Sequence, residues 1–157
     1  MSKVLKLALC LFLFFGCAAP MVTNLTKHSV GYLPPNNPNV GLIYFYRDSE
    51  FIASLRGIYI DVNGKRVGAL NSGTYFVYEA APGETVVSVE NRLGKDTSRT
   101  IQVEAGQSYY VKGGLKMGLW DAVPYINLIA KEEGQGAIHD VVYATMKEKD
   151  LKKTVDK

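Results

Sequence analysis

The sequence predicts a mainly β fold: an antiparallel β-sandwich or partly open barrel with one C-terminal α-helix. Three observations predict it. From Gly41 onward, period-two apolar segments recur at about 8–12 residue spacing between glycine-containing turns. Asn63-Gly64 is the strongest short hairpin signal, because a type I′ turn needs positive φ at both positions. Ten tyrosines in 157 residues, with 47% hydrophobic and 21% charged residues, suit half-buried pleated surfaces better than a disordered chain.

The chain opens differently. "MSKVLK" places Lys3 and Lys6 before a nine-residue apolar run, Leu7 to Phe15, and the small residues Gly16, Cys17, Ala18 and Ala19 follow. A basic start, an apolar run of this length and small residues at its end are the marks of a secretory signal peptide. A membrane-spanning helix needs roughly 20 apolar residues, and here Pro20 interrupts the run. Residues 18–40 hold four prolines and four asparagines with no helical or alternating period. They predict a spacer, which as a flexible coil of this length spans on the order of 25–30 Å.

The elements of the domain, residues 41–157, follow in order. "GLIYFYR" (41–47) predicts a strand buried on both faces. "GIYIDVNGKRVGAL" (57–70) predicts a two-residue hairpin in which Val62 faces Lys65, Asp61 faces Arg66 and Ile60 faces Val67. "TYFVYEA" (74–80) is expected to join "ETVVSVEN" (84–91) through Pro82-Gly83. "SRTIQVEA" (98–105) is expected to join "SYYVKGG" (108–114) around Gly106, and "PYINLIAKEE" (124–133) to be the last strand. Ile138, Val141, Val142, Thr145 and Met146 then fall on one helical face, predicting a helix over about 134–149 and a charged, solvated tail.

Two resemblances add to this reading. "LFFGC" resembles the lipobox of bacterial lipoproteins, with Phe14 and Phe15 where that family prefers Leu and a small or β-branched residue. The resemblance implies that residues 1–16 are a lipoprotein signal peptide cleaved between Gly16 and Cys17, and that Cys17 is lipidated at the head of a tether over residues 17–40. Cys10 would leave with the signal, so no disulfide could form in the mature chain. Ala18 after the cysteine implies the outer membrane by the sorting rules of such lipoproteins. "YFYRDSEFIASLRG", "YIDVNGKRVGAL", "NSGTYFVYEAAPGE" and "KEEGQGAI", over roughly residues 40–138, resemble an uncharacterised β-rich domain of small bacterial lipoproteins. The "VNGK…G" and "PGE" elements are also similar to PEGA-type repeats of envelope proteins. These motifs are mostly turn chemistry and carry no catalytic residues across.

Little else in the chain points to chemistry. The formal charge of +3 is modest, and Lys and Arg are interleaved with Asp and Glu. A nucleic-acid binder would show a basic stripe, so no nucleic-acid partner is expected. His28 and His139 stand apart in the sequence, with no metal-ligand or nucleophile spacing around them. No cofactor and no metal site is predicted, and no enzymatic activity. Arg47 and Arg56 flank "DSEFIASL" beside a strand carrying Tyr44 and Tyr46. They either bind a glycan, a stem-peptide carboxylate or a partner protein, or pair with the acids between them. Trp120, in a glycine-rich apolar loop, either anchors a partner or plugs the core. The expectation is a lipid-anchored, non-enzymatic binding or assembly module of the cell envelope, with the membrane, an envelope protein or peptidoglycan as partner. The alternatives are an envelope enzyme acting on peptidoglycan or glycan through a carboxylate pair such as Asp61 and Glu79, and a structural link from membrane to wall.

Overall fold

A computed structural model of the chain describes residues 25–34, 37–50, 56–90, 97–118 and 122–153. Two sheets pack face to face without closing into a barrel. The first sheet contains β1 (Leu25–Lys27), β2 (Gly41–Arg47), β5 (Thr74–Ala80), β8 (Ser108–Met117), β9 (Ala122–Ile129) and β10 (Val142–Met146), in the order β1-β10-β5-β2-β8-β9. The second contains β3 (Ile58–Val62), β4 (Lys65–Leu70), β6 (Gly83–Val89) and β7 (Thr97–Val103), in the order β4-β3-β6-β7. A helix, α1 (Lys131–His139), joins β9 to β10, and a six-residue helix, α2 (Glu148–Lys153), follows β10.

The core lies between the sheets. Ile43 and Phe45 of β2, Phe76 of β5 and Val111 of β8 face Ile58, Ile60, Val87, Val89 and Ile101 of the second sheet, all at most 5% exposed. Each strand contributes alternate residues, as a period of two requires. Phe45 and Phe76 stack with ring centroids 5.1 Å apart.

The hairpin forms at Asn63-Gly64, with φ of 50° and 75°. Val62 pairs with Lys65 and Asp61 with Arg66, as the turn dictates. Beyond that the register shifts: Ile60 faces Gly68, not Val67, so Val67 is the extra residue of a β-bulge. The reason lies across the core. A side chain on Gly68 would come within 2.7 Å of the Phe76 ring, so the bulge brings the one residue that fits against that ring.

Several expectations are corrected. Pro82-Gly83 does not close a hairpin; Gly83, at φ 123°, carries the chain from β5 in one sheet to β6 in the other. The turn at Gly106 likewise passes from β7 to β8 across the sandwich. The pairing is not wholly antiparallel, since β2–β8 and β10–β5 run parallel. Such crossings let both sheets bury a face against each other, which local hairpins alone would not do.

The helix is the largest revision. It begins at Lys131 and ends at His139, where Asp140 donates its N–H to the Ala137 carbonyl, instead of spanning 134–149. Residues 142–146 are a strand. The sequence "VVYAT" is rich in β-branched and aromatic residues, which lose rotamer freedom in a helix and pack well on a pleated surface. Its apolar spacing suits either period, so the open edge beside β5 decides. The described part of the expected tether is not free either: residues 25–34 lie on the domain, with β1 paired antiparallel to β10.

Candidate functional site

Tyr44, Tyr46, Tyr75, Tyr110 and Tyr143 of the first sheet turn outward, away from the sandwich core. Register places Tyr143, Tyr75, Tyr46, Lys112 and Asn127 in one row across β10, β5, β2, β8 and β9. Val77, Tyr44, Tyr110 and Ile129 form the next row. Directly opposed residues share a face, so this outer face is an aromatic surface with a second apolar cluster of its own.

Two segments cover it. Helix α1 crosses from β9 towards β10 and rests on Tyr110. A Cβ at Gly134 would lie 2.2 Å from the Tyr110 ring, so only glycine allows this approach. From the other edge comes the arm of residues 25–34. The His28 ring stacks on Tyr143 at 4.7 Å and its Nε2 lies 2.8 Å from Thr145 Oγ1. Tyr32 donates its backbone N–H to the Tyr75 hydroxyl at 2.9 Å and its own hydroxyl to Glu79 Oε1 at 2.9 Å. The rings then run in contact from arm to helix: Tyr143 to Tyr32 at 5.7 Å, Tyr32 to Tyr44 at 6.3 Å, and Tyr44 to Tyr110 at 5.0 Å. An open pocket of about 580 Å³ lies between arm residues Lys27–Leu33 and Tyr143.

This packing changes the phenols. Burial pushes the pKa of Tyr32, Tyr44, Tyr46, Tyr110 and Tyr143 above the ordinary phenol value of 10.0, with the Glu79 carboxylate adding to the effect at Tyr32. The folded chain therefore holds these protons more tightly than the unfolded chain does. Their contribution is complete below the unfolded value and is lost as pH climbs through the folded ones. Thermal unfolding followed against pH should show the midpoint falling above about pH 10, and the fall should be shallower in Tyr32→Phe. A midpoint flat through that range would mean that the tyrosine face is not packed in solution.

The residues singled out in the sequence fare unequally. Tyr44 lies in the middle of the aromatic surface. Tyr46 is 1% exposed within it, and Arg47 is fully buried, so neither presents a binding surface. Arg47 points to the core side of β2, donates Nη1 to the Arg56 carbonyl at 2.5 Å and pairs with Glu50 at 3.4 Å. Arg56 donates Nη1 to the Ala122 carbonyl at 2.7 Å. These arginines thus hold chain connections together, because a guanidinium with several donors can satisfy carbonyls that strands leave unpaired. Trp120, Gly16 and Cys17 lie outside the described residues. Asp61 and Glu79 do not converge: Asp61 pairs with Arg66 on the outside of the second sheet, whereas Glu79 accepts from Tyr32 on the outside of the first. His28, Tyr32 and Tyr143 were missed. Tyr143 was hidden within an apparent helix and the other two within an apparent spacer.

Fold and face together define a class: a two-sheet sandwich bearing an aromatic outer surface strapped by an N-terminal arm. Residues 37–124, more than half of the chain, match the family described as "Protein of unknown function (DUF2846)", and the chain belongs to that family. It is also similar to a protein of Haemophilus influenzae (strain ATCC 51907 / DSM 11121 / KW20 / Rd) named "Uncharacterized protein", 26% identical over 129 residues, which cover 80% of this chain and 74% of that one. The family match takes in Tyr44, Tyr46, Tyr75 and Tyr110. The arm and β10, with His28, Tyr32 and Tyr143, fall outside it.

Proposed function

We propose that the protein is an exported lipoprotein, anchored through Cys17, whose sandwich is a non-enzymatic binding or assembly module of the bacterial envelope. The observation that carries this reading is the order of basic start, nine-residue apolar run and Gly16-Cys17 at the amino end. Resemblance to lipoprotein sorting favours the outer membrane, with the domain facing the periplasm, and the likeness to PEGA-type repeats favours an envelope role. Two or three acyl chains, at about 0.8 kcal/mol per buried methylene, bind a bilayer far more strongly than one myristoyl group does. Anchoring also confines the domain to a surface, which raises its effective concentration towards membrane-bound or wall-bound partners.

Mass spectrometry of the protein from native membranes tests the anchor. The mature amino terminus should be Cys17 carrying diacylglyceryl and acyl mass, and Cys17→Ala should move most of the protein out of the membrane fraction. A mature chain that begins elsewhere, or that begins at Cys17 without added acyl mass, overturns the proposal.

A further inference from the structure

The arm that straps the tyrosine face also presents apolar side chains to solvent. Val30 is 63% exposed and Leu33 77%, three residues apart in the loop that leaves β1. Tyr32 between them, by contrast, is half-buried and bonded at both its N–H and its hydroxyl. Lys27 precedes the loop and lies exposed. Glu79, the carboxylate beside Tyr32, accepts the Tyr32 hydroxyl.

The chain outside the structure limits what this loop can meet. Only residues 18–24 separate Cys17 from Leu25. Fully extended, eight Cα steps reach at most about 29 Å. The expected 23-residue spacer is thus shortened, because its second half is docked. The first sheet is six strands wide with β1 at one edge and β9 at the other, or about 24 Å across. The tether attaches at the β1 edge, so a lipid anchor at Cys17 keeps that edge within about 29 Å of the bilayer, and the loop beside it within reach of the surface. The exposed apolar residues of the far side, Met117 at 71% and Leu128 at 50%, belong to β8 and β9 and sit on the opposite half of that sheet.

We infer that the loop of residues 29–33 is a second membrane contact, in which Val30 and Leu33 enter the interfacial region of the anchoring bilayer and fix the orientation of the domain. The inference rests on the reading of Cys17 as the lipid anchor. Lys27 lies where anionic headgroups attract a cation, and the neighbouring tyrosines and His28 have the amphipathic character that suits the headgroup level. Anchored at Cys17 and seated on this loop, the sandwich would stand with β9 away from the membrane. Two contacts define a direction where one acyl anchor leaves the domain free to tumble.

The test uses the full lipidated protein, purified from membranes and reconstituted into vesicles of phosphatidylethanolamine and phosphatidylglycerol. An environment-sensitive fluorophore is attached at Leu33→Cys, with Met117→Cys as the control at the other side. Emission from position 33 should shift to the blue, and brominated lipid should quench it several-fold more than position 117. Val30→Asp in the Leu33→Cys background should abolish the difference while the protein still floats with the vesicles. Equal quenching at both positions in protein that floats overturns the second contact and leaves the anchor standing. Protein that does not float overturns the anchor and this inference with it. A blue shift that grows with protein concentration in the absence of vesicles assigns the loop to a second copy of the chain and overturns the membrane contact.

Discussion

Replacing Phe45 with alanine should lower the free energy of unfolding by about 3–5 kcal/mol. Phe45 is fully buried at the middle of β2, which is itself flanked by β5 and β8. It pairs across the backbone with Phe76 on one side and Val111 on the other, both buried. Its ring stacks on that of Phe76, and Phe76 is in turn held against the backbone at Gly68 of the opposite sheet. Removing the ring therefore empties a site whose walls are two paired strands and a facing sheet. Little of it can collapse, and the cost includes a cavity as well as the lost transfer energy. Denaturant unfolding should show a lower midpoint with an unchanged slope. A loss below about 1 kcal/mol would place Phe45 outside the tightly packed core.

Arg47→Ala should cost about 2–4 kcal/mol, although the residue carries a charge. Its guanidinium is fully buried and donates to the Arg56 carbonyl. It also pairs with Glu50, whose backbone N–H donates to Ser72 Oγ, while Gly73 donates to the Asp48 carbonyl. Arg47 thus joins the chain leaving β2 to the residue that leads into β3, beside the turn before β5. Alanine leaves a hole and takes this donor from the part-buried Arg56 carbonyl. The partial exposure of Glu50, 28%, keeps the cost below that of a sealed ion pair. Methionine, which fills the volume without a charge, should recover about half of the loss. Denaturant titrations of the three proteins measure the order. Stability unchanged in Arg47→Ala would return the side chain to a surface role in ligand binding.

Much of the strand pattern was legible because it is local. Alternation in "GLIYFYR" and the chemistry of Asn63-Gly64 need no distant partner, and both the turn and its first two pairs, Val62 with Lys65 and Asp61 with Arg66, are observed. The candidate binding residues were less legible. Arg47 and Tyr46 look like exposed polar and aromatic groups in a sequence window, but alternation along a strand does not say how deep either face is covered. The outer face of β2 is covered by α1 and the arm, segments about 90 and 15 residues away in sequence. Tyr143 depended on whether "VVYATM" formed a helix or a strand, and only the vacancy at the edge of β5 settled that.

The sequence by itself determined that the body of this protein is built of short strands, where its tightest turn lies, and that an apolar run ending in Gly16-Cys17 precedes it. Those features rest on side-chain period and on backbone preferences within a few residues. Tertiary structure alone decided that Gly83 and Gly106 cross between sheets, that Val67 bulges so that Gly68 can meet Phe76, and that residues 25–34 strap a face of tyrosines. Each of those outcomes is a competition among distant surfaces for burial, and that competition is resolved only when the two sheets, the helix and the arm are assembled together.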